Sequence, residues 1–436
     1  MASSSSRPGP LPRIPREEEV IPLMTEIIAK YHAVRNQIVA SINISTATFD
    51  TVIRPLIDLH NLTLGDIETI YTLEDIAPSI KSKEASIEAR RLFLEAEAEW
   101  LARRDLFDLI KAVHDRNEDL DQESKLWLDQ ELLEFTLSGH GRLDDSQITE
   151  YKHGKARLEE QIRQYFQNLS SDQSGVWFSD EDLDGVPADQ VSRWALGTDA
   201  PHQGQRFVPF ANRGMFHVTS FAKSAETRKR MFIANERRLP ENVKLVKEIA
   251  ISRDSQARLL GYPSHAAFTM QRMIAKEPVW VEGFLRQLSD GLKDVAEKRL
   301  EDLENLRIRD PETRGAYGEP DSHAFPPWDV AYYTRLLGQK IKIDHRSISE
   351  YFPLETTTEA MLGIFASYLQ LHFTRVDTAD SNQSSIWHDD VQVYSAWDES
   401  STTTEFLGYL YLDLLWRENK HQGFRNRSMQ SVSMTE

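Results

Sequence analysis

Thirteen histidines and no cysteine bound the chemistry open to this chain of 436 residues. A zinc hydrolase built on a helix needs two His at i and i+4, so that both imidazoles face one ion. A Glu directly after the first His then serves as base for the bound water. No His here is followed by Glu. His114 and His388 are followed by Asp, but Glu118 and Gln392 stand four residues on. No two His are three or four apart, so a metal could be held only by ligands scattered along the chain. Ser264-His265 and Trp387-His388-Asp389 are adjacent in sequence, and adjacent side chains do not face one another on a helix or strand. There is no Gly-x-Ser-x-Gly elbow, no Walker loop and no Gly-x-Gly-x-x-Gly. Gly204 and Gly214 are too far apart to cradle a phosphate and read as turns. Arg228-Lys229-Arg230 and Arg237-Arg238 read as a solvated basic face in preference to a phosphate site. Tyr332, Tyr333, Tyr351 and Phe352 read as core.

The missing thiol excludes disulfides, cysteine nucleophiles and iron–sulfur clusters. Lys and Arg total 51 against 69 Asp and Glu, a formal net charge of -18. That field disfavours nucleic acid and anionic membrane and tolerates basic or neutral peptides. With 40% hydrophobic and 28% charged residues the chain is globular in composition. No apolar run approaches the roughly 20 residues that span a bilayer. The first sixteen residues, MASSSSRPGPLPRIPR, have no apolar core of a signal peptide, and their prolines oppose the amphipathic helix of a transit peptide. A disordered tail is expected over 1–18, and the cytoplasm ahead of the mitochondrion. The sequons beginning at Asn43, Asn61, Asn168, Asn382 and Asn426 are then expected to stay unmodified.

The elements that would position any site are mostly helical. Met24, Ile27, Ile28, Tyr31 and Ile38 form one stripe at helical spacing. A second helix is predicted over 46–61, kinked or bounded at Pro55, and one long helix over 82–114. Further helices are predicted over 120–137, ended by Gly139 and Gly141, and over 144–169. From Ser170 to Gly214 helical periodicity fades among Gly, Pro, Asp and Ser, and a domain boundary is placed at its end. Helical patterns return over 227–238, 242–261, 279–308, 328–338 and 358–371, interrupted by a loop over 310–327. Alternating aromatic and β-branched residues over 372–377, 392–398 and 406–414 predict a small sheet, with loops over 381–385 and 400–404.

Several segments, in order, resemble the thimet oligopeptidase and neurolysin family of zinc peptidases. They are Phe178 to Pro187 (FSDEDLDGVP), Arg228 to Arg238 (RKRMFIANERR), Asn242 to Arg253, Ala257 to Met273 and Pro278 to Leu285. Trp328-Asp-Val-Ala-Tyr-Tyr333, Glu350 to Leu354, Trp387 to Val391 and Gly408-Tyr-Leu-Tyr-Leu-Asp413 follow. Upstream, 47–58 and 83–110 look like the family's N-terminal helices, so the resemblance runs from about residue 19 to 424. It implies a mostly α fold of two lobes flanking a deep channel, with a small sheet near the C-terminus. An N-terminal helical lobe over 19–215 would precede the first half of a catalytic lobe over 216–436.

The resemblance also implies a metalloendopeptidase acting on short peptides with zinc as cofactor, and here the chain departs from the pattern. In the family, Gly-x-x-Tyr-x-Asp leads into Arg-x-Gly-Lys and, several dozen residues later, His-Glu-x-x-His. Arg417-Glu-Asn-Lys420 has Asn419 where Gly is usual, and Phe424 to Glu436 no longer follows the pattern. No catalytic and no metal residue can be carried over, and no substrate-binding residue is assigned. The expectation is a truncated member with an incomplete second lobe, retaining no zinc and inactive alone, since nothing would polarise the carbonyl or lower the pKa of water. Three origins fit that expectation. They are a decayed or mis-spliced gene product, a non-catalytic peptide-binding or scaffold protein, and a half-enzyme completed by a second chain. A protein partner would then cover apolar faces left without neighbours.

Overall fold

The computed structural model describes residues 8–76, 78–211, 213–311, 325–340, 345–377, 385–400, 404–415, 417, 420–421 and 424–429. Most of the loop predicted over 310–327, most of the Ser and Ser/Thr loops after 380 and 400, Trp416, Asn419 and 430–436 lie outside the described residues. The chain is mostly helical and divides into two compact units, Met1–Arg142 with Phe352–Glu436, and Leu143–Tyr351.

The first unit begins with α1 (Glu17–Ser41), whose three leading glutamates face the positive end of the helix dipole. Its stripe of Met24, Ile27, Tyr31 and Ile38 is buried as the spacing predicts, and Arg35 is buried with it. A π-helical turn, Phe49–Ile53, opens α2 (Arg54–Ile76). Thr48 caps that turn, and the Glu118 carboxylate accepts from the Phe49 amide at 3.2 Å. Pro55 is the second residue of α2 and follows directly on that wider turn, inside a continuous helical run from Phe49.

The single helix predicted over 82–114 is instead two, α3 (Ile80–Leu101) and α4 (Arg104–Arg116). No Gly or Pro marks the break. Arg103 is held extended at φ -80°, ψ 110°. Its guanidinium spans Asp105 at 2.9 Å and Asn36 of α1 at 2.6 Å. A tertiary contact ends the helix where local propensity would continue it. α5 (Gln122–Leu137) starts on the Asp121 cap and ends before Gly139 and Gly141, at φ 106° and 73°. Phe49, Ile53, Leu106, Phe107, Ile110 and Phe135 form one core, and Met24, Ile27, Ile70, Leu73 and Trp100 another. Residues 8–16, part of the expected tail, precede α1, and Ile14 joins the second core.

In the second unit α6 (Asp145–Ser171) packs on α10 (Pro240–Leu259). Between them lie β1 (Gly175–Ser179), α7 (Ala188–Val191), β2 (Ala195–Leu196), β3 (Gln205–Pro209), α8 (Gly214–Phe221) and α9 (Ala225–Glu236). The strands form an antiparallel sheet in the order β1-β3-β2. The sequence reading did not foresee this sheet. Its strands are at most five residues long and sit among turn residues, too short for alternation to show. Phe178, Leu183, Val208, Val218 and Met231 fill its core. Then come α11 (His265–Thr269), α12 (Pro278–Arg309), α13 (Val330–Lys340) and α14 (His345–Ser349). Tyr332 and Tyr333 are buried against Leu303 as predicted, whereas Tyr351 and Phe352 are exposed.

The first unit is completed by α15 (Leu354–Leu369) and a second antiparallel sheet, β4-β5-β6. Its strands, Leu371–Arg375, Gln392–Asp398 and Glu405–Leu412, fall on the three predicted segments. No helix among the described residues is long and apolar enough to cross a membrane.

Candidate functional site

Strand β6 runs from Glu405 to Leu412 and delivers Asp413 directly at its end. It pairs with β5 in antiparallel register, Gln392 opposite Leu412, so Asp413 emerges beside the chain that enters β5. The Trp387 indole there donates to the Asp413 carboxylate at 2.8 Å. Both Nη groups of Arg417 donate to it at 2.7 Å, and Lys420 Nζ at 2.9 Å. Lys420 also donates to the carbonyls of Asp413 and Leu415, and Arg417 to that of Ile76 at the end of α2. Burial alone would raise the Asp413 carboxyl, but the hydrogen bonds from Arg417, Trp387 and Lys420 outweigh it and hold it at about 2. So acidic a carboxyl is a feeble general base near neutral pH. The Asp-to-Arg-x-x-Lys spacing therefore builds a clamp, in which one carboxylate fixes the turn after β6 and ties it to α2.

Beside the clamp lies a cavity of about 1060 Å³. Its walls include Asp75, Tyr409, Tyr411, Phe424 and Arg427. Asp75 pairs with Arg427 at 2.6 Å. Tyr409 donates to the Gly9 carbonyl at 2.6 Å. Trp387 and Tyr411 stack with centroids 5.4 Å apart. The Tyr411 hydroxyl is buried without a hydrogen-bond partner among the described residues, and burial pushes its phenol up from the ordinary value. β6 is the edge of its sheet. The site thus combines aromatic walls, an unengaged hydroxyl and an edge strand, features suited to an extended chain with apolar side chains and backbone acceptors.

The remaining sequence candidates separate. Ser264 caps α11 by accepting from the Ala267 amide at 3.2 Å, while His265 lies near Thr269 Oγ1 at 3.3 Å, so they form no catalytic pair. His388 Nδ1 accepts from the Asp390 amide at 3.2 Å. Arg228 corrects the reading of its cluster as a solvated face, because it is fully buried. Its Nε donates to Asp329 at 2.8 Å and its Nη1 to the carbonyls of Ala222 and Lys223 at 2.8 and 2.7 Å. Its guanidinium also lies 4.1 Å from the Tyr332 ring centroid. Among the described residues no three of His, Asp and Glu come together so as to hold a metal ion. The described residues thus offer no cluster that fits the zinc the resemblance implies.

One constellation escaped the sequence reading. Arg35, Glu97, Glu131, Tyr31 and Trp100 line a second cavity of about 520 Å³ within the first unit. The signal was available, because Arg35 follows Tyr31 by one helical turn and interrupts an otherwise apolar stripe.

Residues 219–434 match the family described as Peptidase family M3. The chain is 32% identical over 391 residues to the oligopeptidase PhomG′ of Diaporthe leptostromiformis, covering 88% of this chain and 32% of that protein. To the oligopeptidase PhomG of the same organism it is 32% identical over 394 residues, 88% of this chain and 52% of the relative. To saccharolysin of Saccharomyces cerevisiae it is 26% identical over 399 residues, 90% of this chain and 55% of the relative. The chain thus spans from about a third to just over half of the length of these relatives.

Proposed function

From the premise that the chain belongs to the thimet oligopeptidase and neurolysin family, peptidase family M3, we propose that its residues form the channel-shaping part of an oligopeptidase acting on short peptides. On this reading the 436 residues do not by themselves hydrolyse peptides, retain no zinc and contribute no catalytic or metal-binding side chain. The observation that carries the proposal is the family's motif from Gly408 to Asp413, continued by Arg417 and Lys420. It is folded into a clamp at the edge of a cavity with aromatic walls. The clamp holds an edge strand in place, and an edge strand offers backbone groups to a peptide. The proposed lobes divide the chain at 215/216, close to residue 219 where the family match begins. The compact units group the same residues differently, joining 1–142 to 352–436. The cytoplasm is the proposed location.

A half-enzyme completed by further polypeptide is favoured over a free-standing scaffold by the exposed apolar face of α12, where Val279, Trp280, Phe284 and Val295 are all uncovered. A catalytic lobe without its covering layer has such a face; a self-sufficient scaffold has no reason for one. The test is hydrolysis of a quenched fluorescent peptide of about ten residues, a length suited to a narrow channel. The purified chain is expected to show no turnover and no stoichiometric zinc. Chelator-sensitive turnover by homogeneous protein would overturn the proposal. Peptide binding without turnover that stays unchanged when the exposed α12 residues are made polar would favour the scaffold.

A further inference from the structure

The cavity of about 520 Å³ lies wholly among residues of α1, α2, α3 and α5. Arg35 of α1 is 8% exposed and lines it. Its Nε is buried and meets no acceptor, and the hydrogen bond from Nη1 to the Tyr31 carbonyl of its own helix is long at 3.5 Å. The guanidinium lies 4.3 Å from the Trp100 centroid and 5.0 Å from that of Tyr31, and those two rings stack on each other at 4.9 Å. A buried donor without an acceptor is costly, and a cation over two rings is held in place without being neutralised.

Glu131 of α5 lines the same cavity, with Glu97 and Glu134 also among its walls. Burial pushes its carboxyl up to about 7, with Arg35 pulling the other way and the neighbouring glutamates adding to the rise. The cavity therefore holds a donor lacking an acceptor and a carboxylate short of positive charge, and the two do not satisfy each other. Phe93, Trp127 and Leu56 supply apolar wall.

We propose that this cavity binds a small zwitterion, an α-amino acid or dipeptide. Its carboxylate would engage the Arg35 guanidinium, its ammonium Glu131, and its side chain the rings of Phe93 and Trp127. A carboxylate supplies the acceptor that Arg35 Nε lacks. An ammonium supplies the positive charge that Glu131 lacks, and only a ligand with both ends meets both needs. Binding here is independent of peptide hydrolysis, so it stands or falls apart from the proposed function.

The test is calorimetric titration of the full chain with L-phenylalanine, glycyl-L-phenylalanine, phenethylamine and 3-phenylpropionate. The zwitterions are expected to bind at least about tenfold more tightly than either single-charge analogue, a difference of one decade in Kd. The ratio between amino acid and dipeptide reads the length the cavity accepts. Arg35→Met should weaken L-phenylalanine and 3-phenylpropionate while leaving phenethylamine unchanged, and Glu131→Gln should do the reverse for the single-charge pair. If Arg35→Met does not fold, Arg35→Lys keeps the charge and removes the Nε donor, and is expected to weaken the zwitterions alike. Phenethylamine binding as tightly as L-phenylalanine, zwitterion binding indifferent to both substitutions, or no binding by any probe up to about 10 mM, weaker than ordinary small-ligand affinity, would each overturn the proposal.

Discussion

Asp329→Asn is the sharpest perturbation of the second unit, because it changes a charge and almost no volume. Arg228 and Asp329 are both fully buried. Removing one partner of such a pair leaves an uncompensated charge in the interior, at a cost of about 3–5 kcal/mol. Here the guanidinium keeps the carbonyls of Ala222 and Lys223 at 2.8 and 2.7 Å and the face of Tyr332 at 4.1 Å. The asparagine oxygen can also still accept one hydrogen bond. The expected loss therefore lies at the low end, about 3 kcal/mol. That is a large share of the 5–15 kcal/mol that typically holds a domain together. Arg228→Met should cost at least as much, since it leaves a carboxylate where the guanidinium was its strongest donor. The double variant Arg228→Met with Asp329→Leu should recover most of either loss, because no buried charge remains. Urea unfolding, read by hydrogen exchange in peptides from α9 and α13, confines the measurement to this unit. A loss under about 1 kcal/mol for Asp329→Asn, the range of an exposed pair, would refute the reasoning. So would a double variant as unstable as the two single losses added together, since the sites would then be uncoupled.

Three further outcomes follow from the geometry. The Asp413 carboxyl is held at about 2, below its ordinary value, by donors that burial only partly opposes. Its contribution to stability is thus fully present above the unfolded value near 4 and is lost as pH falls toward about 2; urea unfolding across that window should show the loss, and Asp413→Asn should abolish that component. Gly214→Ala should destabilise the second unit by about 2 kcal/mol or more, because its Cβ would stand 1.9 Å from the Pro209 carbonyl oxygen at the start of α8; a variant with unchanged urea midpoint would contradict the packing of α8 on β3. In the isolated chain, amides of α12 before residue 300 should exchange quickly while those around Leu303 exchange slowly, and uniform protection in a monomer would contradict the uncovered face.

Local rules carried far along this chain where the signal was local. The α1 stripe and the glycines after α5 placed their elements from sequence alone, since spacing and left-handed backbone are properties of neighbouring residues. The mix of aromatic and β-branched residues in Gln392 to Asp398 placed β5, because a seven-residue strand is long enough to read. What escaped depended on residues distant in sequence. The break at Arg103 needs Asn36, 67 residues upstream. The sheet of β1, β2 and β3 is made of fragments too short to alternate. Arg228 looked like one charge among three until Asp329, a hundred residues on, neutralised it. For the candidate site, the order of residues in Gly408 to Lys420 was legible as a family motif. That the aspartate is a clamp and a poor base was not, because its acidity is set by Trp387, Arg417 and Lys420 converging in space.

The same dependence on distant partners explains the face of α12. The helix runs from Pro278 to Arg309, yet Leu303 is its one buried residue among those described. Val279, Trp280, Phe284, Leu288, Leu292 and Val295 recur at helical spacing and remain between 48% and 74% exposed. Burying each such side chain is worth about 1.5–3 kcal/mol, so the stripe forgoes in sum an amount comparable to the stability of a whole domain. On the proposed function this stripe is the face a covering layer would take, since a helix with solvent on that face gains nothing from apolar residues at helical spacing. α15 repeats the pattern with Ile364, Tyr368 and Leu369 exposed. β6 has no buried residue, while its neighbour β5 buries three. These elements lie in the segment that matches the peptidase family; the helices from α1 to α5 bury much of their apolar surface on one another and leave Leu62, Ile87, Leu94 and Leu126 exposed. On the proposed function, the exposed faces of α12, α15 and β6, each taken by itself, are where covering polypeptide would pack.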